Sequence, residues 1–350
     1  MVTISGFLGM LLAAEVMARL LLPSLPADPH TWPRAEIGQK LEQIEALEKR
    51  DAEADVVFAG SSLTAAAINP QLFTEETGIT SYNAAFAGPS MKTVTRWVLD
   101  VVVPKLSPEM VVIGVASRDV NDNGPKNQRV YDSFVESPGY RQETASFASE
   151  IEGWLEDVSV FMRYRRLFRE PASLFDDSST TVKDQNIRKE IGPGGIRVEE
   201  PRNYATLPKL ARQMRKGTLV NYETGGVEFE ALLEMKRGLE DRGIEMMVVS
   251  MPVTPDYVAA HEHPKADMAT YNAFIDDFAA QTGVTVVDAQ EAFATPLPFR
   301  DLMHLDVEGR DAVTRALVAS WDEIGSGGRL EMSCSDDPAP TCELHEATRQ

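Results

Sequence analysis

The chain has 350 residues, which is enough for one large domain or for a domain with a sizeable insertion. Hydrophobic residues make up 43% of it and charged residues 25%, as in ordinary globular proteins. The formal net charge of −20 argues against a general nucleic-acid-binding protein, so we expect no nucleic-acid partner.

The chain begins with a run of mostly apolar residues, 2–22, which ends at Pro23. About 20 such residues are needed for a helix that crosses a membrane. Glu15 and Arg19 interrupt the run, but they stand four residues apart, where they can pair on a helix. The pattern predicts an N-terminal membrane anchor; a cleaved signal peptide and an amphipathic packing helix are the alternatives. The four prolines within 23–34 indicate a linker.

Five apolar runs indicate β-strands, and helical patterns separate most of them. The runs are 55–59, 79–83, 110–116, 244–250 and 284–288. Continuous apolar strands that alternate with helices are typical of a parallel sheet covered on both faces. We therefore predict an α/β protein with a three-layer α/β/α, flavodoxin-like domain over residues 35–325. Ligands of such sheets bind at the carboxyl ends of the strands.

The interval 125–225 breaks this alternation, and we interpret it as an insertion that covers the strand ends. Within it, residues 161–216 contain 13 Lys or Arg and 7 Asp or Glu, against an acidic remainder. This charge predicts a surface for an anionic polymer, in which Arg165 and Arg166 take part. Ordinary solvated surface is the alternative.

The only two cysteines, Cys334 and Cys342, lie in a polar C-terminal stretch that we assign as a tail over 326–350. Seven residues, SDDPAPT, separate them. A short-loop disulfide formed in an oxidising compartment is the prediction for this pair.

A glycine and two serines follow the first predicted strand directly, in the stretch Gly60-Ser61-Ser62-Leu63. Such residues form turns and cap helices, which is the simpler interpretation. The other interpretation is a nucleophilic serine at the carboxyl end of a strand.

Asp301 and His304 stand three residues apart, just before a helical pattern at 307–322. That spacing can place a carboxylate beside an imidazole, where it fixes the tautomer and supports the protonated ring. The other histidines are assigned to the linker, to a polar loop and to the tail: His30, His261, His263 and His345. His304 is therefore the candidate base.

Two further stretches supply groups that could bind an oxyanion. NAAFAGPS, residues 83–90, follows the second strand, and Gly88 within it would let its backbone N–H approach an oxyanion closely. The third strand ends in ASRDVNDNG. The residues from Asp119 to Gly124 also fit the first half of a calcium loop, but Val130 stands where that loop needs a bidentate glutamate, so we predict no metal.

These blocks resemble, in order and spacing, the SGNH hydrolase (GDSL-type esterase) superfamily. GSSL resembles its first block, with Ser62 at the nucleophile position, and Gly88 takes the position of the oxyanion glycine. Asp301 and His304 match its D-x-x-H block. The resemblance implies a Ser-His-Asp triad of Ser62, His304 and Asp301, and no cofactor.

The third block departs from the superfamily pattern, which usually reads G-x-N-D. Here it reads Ala116-Ser117-Arg118-Asp119, so Arg118 replaces the oxyanion asparagine, and Asn121 is the nearest substitute. We assign both residues as candidate oxyanion groups.

The departures and the apolar N-terminus are similar to the envelope branch of the superfamily, which includes proteins of D-alanine transfer to teichoic acids and of alginate acetylation. That resemblance implies an esterase or O-acyltransferase anchored to the bacterial cytoplasmic membrane and facing outward. It further implies an acylated glycan or surface polymer as substrate, and a membrane-embedded acyltransferase as partner. A non-catalytic glycan-binding or scaffold protein of the same fold is the alternative.

Overall fold

A computed structural model describes residues 2–21, 32–50, 52, 54–125, 127–144, 158–163, 191–196, 207–296, 298–321 and 328–347. The chain forms two compact units. One comprises Met1–Gly38 and Ser133–Arg188, and the other Gln39–Asp132 and Lys189–Gln350. Arg165 and Arg166, and with them most of the predicted basic surface, lie outside the described residues.

The second unit is built on a seven-stranded sheet in the order β2-β1-β3-β4-β5-β6-β7. Its strands are β1 (Val56–Gly60), β2 (Ser81–Asn83), β3 (Met110–Val115), β4 (Glu245–Ser250), β5 (Thr285–Asp288), β6 (Arg329–Cys334) and β7 (Cys342–Glu346). Neighbouring strands from β2 through β6 are parallel, and β7 is antiparallel to β6. The prediction of a parallel sheet in an α/β fold is thus confirmed, and β1 to β5 lie where the apolar runs predict strands.

Helices separate most strands, as the alternating pattern predicts. They are α1 (Val2–Leu21), α2 (Ala35–Glu48), α3 (Ser62–Ala67), α4 (Pro70–Thr77), α5 (Met91–Trp97), α6 (Val103–Leu106), α7 (Asn127–Val135), α8 (Pro138–Glu143), α9 (Val160–Arg163), α10 (Leu207–Arg215), α11 (Val227–Glu240), α12 (Pro255–Ala259), α13 (Pro264–Thr282) and α14 (Val307–Ala319). A π-helical turn, Val98–Val102, joins α5 to α6, and 3₁₀ turns form at Ser117–Asp119 and Pro193–Gly195.

The strand β1 lies inside the sheet and is buried along its whole length. This explains its uninterrupted apolar sequence, because helices cover both faces of a parallel sheet. Phe58 of β1 packs edge-on against Phe73 of α4, with ring centroids 5.2 Å apart. Phe73 in turn contacts the ring of Trp321 after α14. The N-terminal and C-terminal parts of this unit therefore share one core.

A buried lysine joins α2 to the end of β2. Lys40 is 0% exposed, and its Nζ donates to the backbone oxygens of Asn83, at 2.5 Å, and Gly195, at 2.7 Å. A buried ammonium group needs such acceptors to offset its lost hydration. These bonds fix the point at which β2 gives way to the loop that carries Gly88.

The C-terminal stretch differs from the predicted tail because it adds two strands to the sheet. Cys334 of β6 and Cys342 of β7 are register partners, and their sulfurs form a disulfide across the hairpin. Most residues of both strands remain partly or fully exposed, so neither strand has the apolar run that identifies β1 to β5.

In the first unit, α1 forms over the apolar run, and Glu15 pairs with Arg19 at 2.6 Å, as the spacing predicts. Glu15 also accepts hydrogen bonds from the hydroxyl of Ser159 and from the backbone N–H groups of Val160 and Phe161, at the start of α9. The structure does not support the predicted anchor. Within the described part of the chain, no helix combines the length and the apolar character needed to cross a membrane.

Residues 23–31 of the predicted linker lie outside the described residues, and the described end of it, from Trp32, is packed. Trp32 is buried, with its ring 5.6 Å from that of Phe134, and its indole atoms lie against Gly139 of α8. Aromatic burial of this kind holds a segment in place, so the residues around Trp32 are part of the packed unit.

Candidate active site

A close-packed turn carries the chain from β1 into α3. Gly60 has φ +144°, and a Cβ there would lie 2.3 Å from Thr64 Oγ1 and 2.6 Å from the carbonyl oxygen of Gly114. Only glycine fits such a conformation and such a close approach. The turn therefore sets α3, which begins at Ser62, directly on the carboxyl ends of β1 and β3.

The two serines of this turn have different surroundings. Ser61 is 0% exposed; its hydroxyl donates to Asp119 Oδ2 at 3.0 Å and accepts from the backbone N–H of Leu63 as the α3 cap. Ser62 is 5% exposed, and its Oγ lies 2.8 Å from His304 Nε2. Only Ser62 thus meets an imidazole, because Ser61 is held by the buried carboxylate.

The imidazole of His304 is held on its other side by Asp301. His304 Nδ1 lies 2.8 Å from Asp301 Oδ2 and 3.0 Å from Oδ1. The backbone N–H groups of Met303 and His304 also donate to Oδ1. Burial alone would raise the pKa of Asp301, but these hydrogen bonds and the charge of His304 outweigh it and hold the pKa well below its usual range. The carboxylate is ionised at neutral pH and fixes the ring with its Nε2 toward Ser62.

Hydrogen bonds within the loop and to neighbouring elements hold the loop that carries Asp301 and His304. The backbone N–H of Arg300 donates to the carbonyl oxygen of His304 at 2.9 Å. The hydroxyl of Thr254, before α12, donates to the carbonyl oxygen of Leu302 at 2.7 Å. Asp306 then caps α14 by accepting from the N–H of Gly309. These bonds hold the loop that presents the imidazole to Ser62.

Gly88 lies in the loop after β2 and has φ +79°, a conformation that favours glycine. The loop begins at Asn83, whose side chain donates to the carbonyl oxygens of Thr64 and Ile68 in and after α3. Among the described residues, the backbone N–H groups of Ser62 and Gly88 make no hydrogen bond. Both are therefore available as donors.

The two candidate replacements for the oxyanion asparagine lie in different settings. Arg118 has a side chain that is 14% exposed, and its Nη1 lies 3.7 Å from the sulfur of Met303, beside His304. Asn121 is 0% exposed, and its amide donates to the carbonyl oxygens of Thr218 and Val220. Because both amide hydrogens are used there, the assignment of Asn121 as an oxyanion group is wrong. Asn121 instead holds the 218–223 loop.

Sequence reasoning missed a second histidine of interest. His261 lies in the loop between α12 and α13, as assigned, but it is buried, with 1% of its surface exposed. Its Nε2 lies 3.0 Å from the Oγ of Ser117, two residues after β3. The loop sequence carries no signal of this burial, because the neighbouring Glu262 and His263 are polar and exposed. Elsewhere, the described residues include no group of three or more His, Cys, Asp or Glu side chains that could hold a metal ion.

A known protein family matches the second half of this unit. Residues 203–318 match the family model described as DltD protein. The resemblance to SGNH hydrolase-like proteins is confirmed. The match covers about a third of the chain and includes Asp301 and His304, whereas Ser62 and Gly88 lie before it.

A solved structure is similar to the chain, and no curated protein matches it. A solved structure of a candidate acylhydrolase from Bacteroides fragilis is similar to the chain at 14% sequence identity, and the alignment covers 82% of this chain and 96% of that one. Its TM-score is 0.40, which is too low to support a conclusion. A comparison with curated proteins gave no match.

The buried carboxyl of Asp119, beneath this site, predicts a pH-dependent stability. Its pKa is raised from 3.8 to about 6, because burial outweighs the charge of Arg118 and the hydrogen bonds from Ser61 and the backbone of Ala116. Between these values the folded chain keeps the proton that the unfolded chain has lost, so rising pH favours unfolding; above about pH 6 the effect is constant.

We expect the free energy of unfolding of the wild type, relative to Asp119→Asn, to fall by about 2 kcal/mol between pH 4 and pH 7. Denaturant unfolding of both proteins across this range measures the difference. Parallel stability curves for the two proteins would show that Asp119 does not titrate in this way.

Proposed function

We propose that this protein is a serine esterase or O-acyltransferase that acts on acyl groups of a cell-surface polymer. The hydrogen-bonded series Ser62–His304–Asp301 carries the proposal, since it joins a hydroxyl, an imidazole and an ionised carboxylate at the carboxyl edge of the sheet. That arrangement is what nucleophilic acyl transfer needs.

In the first step, Ser62 Oγ attacks the acyl carbonyl carbon while His304 Nε2 takes the hydroxyl proton. Asp301 remains ionised and stabilises the imidazolium through Nδ1–H. When the tetrahedral intermediate collapses, the C–O bond to the leaving alcohol breaks, and the imidazolium returns the proton to that oxygen. The product is an acyl ester on Ser62.

The negative charge of the tetrahedral intermediate needs donors that are already in place. We assign this role to the backbone N–H groups of Ser62 and Gly88 and to the guanidinium of Arg118. An arginine in place of the usual asparagine brings a full positive charge, and a charged hydrogen bond to an oxyanion is stronger than a neutral one.

In the second step, a water molecule or a sugar hydroxyl attacks the acyl-serine while His304 Nε2 takes its proton. The bond between the acyl carbon and Ser62 Oγ then breaks, and the imidazolium returns the proton to Ser62 Oγ. Water gives an esterase and a sugar hydroxyl a transferase. The DltD family match supports an extracytoplasmic setting and a surface polymer as acceptor. The disulfide Cys334–Cys342 supports the same setting, because such bonds persist in oxidising compartments. A membrane-embedded acyltransferase is the partner that we propose as acyl supplier.

The mechanism predicts that activity depends on Ser62 and not on the neighbouring Ser61. With p-nitrophenyl acetate, we expect Ser62→Ala and His304→Ala each to lower kcat/KM by roughly 10³-fold or more, because triad members act as a unit. The double variant should be little worse than either single one. Asp301→Asn should cost the same or less.

Ser61→Ala is the matched control, because it removes the neighbouring hydroxyl and its bond to Asp119 while leaving Ser62 in place. We expect it to keep most of the activity and to lose stability by about 1–3 kcal/mol, as Asp119 loses a donor. An equal loss in Ser61→Ala and Ser62→Ala, or full activity in Ser62→Ala, would contradict the mechanism.

A basic helix supports an anionic polymer as the substrate. Exposed side chains of α10 and the turn after it are Lys209, Arg212, Arg215 and Lys216. Arg215 donates to the backbone oxygens of Ala259 and Ala260, which ties this helix to α12, after the carboxyl end of β4. The positive charge therefore lies on the side of the sheet that carries Ser62, although the chain as a whole is acidic.

We expect Lys209→Glu/Arg212→Glu to weaken binding of a soluble poly(glycerol phosphate) by roughly tenfold at low salt, with wild-type binding also weakening as ionic strength rises. Lys49→Glu/Arg237→Glu is the control, because it changes the net charge equally at exposed sites elsewhere, in the turn after α2 and in α11. Titration calorimetry measures both. Equal losses in the two double variants, or binding that does not depend on salt, would leave α10 as ordinary surface.

A further inference from the structure

A second Ser-His-Asp series lies beside the candidate active site. Ser117 Oγ is 3.0 Å from His261 Nε2, and His261 Nδ1 is 3.4 Å from Asp267 Oδ2. The His261 side chain is 0% exposed, whereas that of His304 is 14% exposed. A base with no exposed surface cannot exchange its proton with a bound substrate, so this series is not a second catalytic site.

The series continues through a buried tyrosine to the backbone of Arg118. Tyr257 Oη lies 2.7 Å from Ser117 Oγ and accepts a hydrogen bond from the backbone N–H of Arg118 at 3.1 Å. Burial lowers the pKa of His261, although Asp267 acts in the opposite direction. We therefore assign a neutral ring with its hydrogen on Nδ1, toward Asp267, and an accepting Nε2.

This assignment gives every hydrogen bond of the series one direction. The N–H of Arg118 donates to Tyr257, the hydroxyl of Tyr257 donates to Ser117, and the hydroxyl of Ser117 donates to His261 Nε2. Linked donors of this kind polarise one another, and a break at any point leaves a buried polar group without its partner. The 3₁₀ turn Ser117–Asp119 is thus bonded through the backbone N–H of Arg118 to a buried series of hydrogen bonds.

The same turn contacts both halves of the candidate active site. Asp119 accepts from Ser61, the neighbour of Ser62, and the guanidinium of Arg118 lies against the sulfur of Met303, the neighbour of His304. Arg118 Nε is also 3.5 Å from Asp119 Oδ1. A shift of this turn would therefore move Asp119 against the serine turn and the guanidinium of Arg118 against the histidine loop.

We propose that Tyr257, Ser117, His261 and Asp267 are positioning residues that hold Arg118 at the oxyanion side of the Ser62 site. This inference rests on the proposed acyl-transfer function. It adds that the catalytic use of Arg118 depends on the hydroxyl of Tyr257, and that His261 acts as a fixed acceptor and never as a base.

Tyr271 offers a matched control. Like Tyr257, it is buried and its hydroxyl bonds to a serine, here Ser250 at the end of β4, at 2.9 Å. It also donates to the carbonyl oxygen of Val115 at 3.0 Å. It has no bond to Arg118. Tyr271→Phe therefore removes comparable buried hydrogen bonds, while the backbone bond to Arg118 stays in place.

A double-mutant cycle on kcat/KM for p-nitrophenyl acetate separates positioning from general stability. We expect Tyr257→Phe to lower kcat roughly tenfold with KM changed less than about threefold, since the loss falls on transition-state stabilisation. Arg118→Ala should cost roughly tenfold or more. The double variant Tyr257→Phe/Arg118→Ala should be no slower than Arg118→Ala alone, whereas Tyr271→Phe should stay close to wild type in both backgrounds.

Losses that multiply in Tyr257→Phe/Arg118→Ala, or equal losses in the two tyrosine variants, would overturn the positioning role. Hydrogen exchange of the peptide that contains Arg118 gives a readout that does not need turnover. In Tyr257→Phe this amide should exchange about tenfold faster, because one backbone hydrogen bond is lost, and in Tyr271→Phe it should not change. If Ser62→Ala keeps full activity, the proposed function fails, and the exchange rates still decide whether Tyr257 holds Arg118.

Discussion

The hydrogen bond between Ser62 Oγ and His304 Nε2 joins two residues that are 242 positions apart in the chain. No local preference can bring them together, so the bond depends on the whole sheet. Parallel strands place their carboxyl ends at one edge, and the turns after β1, β2, β3 and β5 meet there. Gly60 makes the first of these turns tight enough for α3 to begin on the sheet itself.

Buried polar groups fix the backbone around this edge through hydrogen bonds. Asp119 accepts from Ser61, Asn83 binds the backbone of α3, and Lys40 holds the end of β2. Each of these groups would be costly to bury without its partner. Two Ser-His-Asp series differ in exposure. The series at Ser62 is partly exposed, which suits the proposed attack on a substrate, and the series at Ser117 is buried, which suits the proposed support of the backbone.

Sequence patterns predicted the structure best where a single structural feature produces the pattern. Apolar runs marked β1 to β5 because both faces of those strands are buried, and the D-x-x-H spacing placed Asp301 beside His304. The hairpin of β6 and β7 was missed because its strands are largely exposed and polar at the edge of the sheet. Burial by distant parts of the chain cannot be read locally, so the sequence does not show that His261 and Asn121 are buried. Glu15, which pairs with Arg19, also accepts hydrogen bonds from residues 159–161, and the sequence does not show these bonds.

The central claim is that Ser62 is a nucleophile activated by His304. The most direct test is to incubate the full-length chain with a fluorophosphonate, digest it and locate the adduct by mass spectrometry. The account predicts one adduct, on Ser62, that is absent from Ser62→Ala and forms far more slowly in His304→Ala. A folded protein with no adduct, or with an adduct on Ser61 or Ser117 instead, would contradict it.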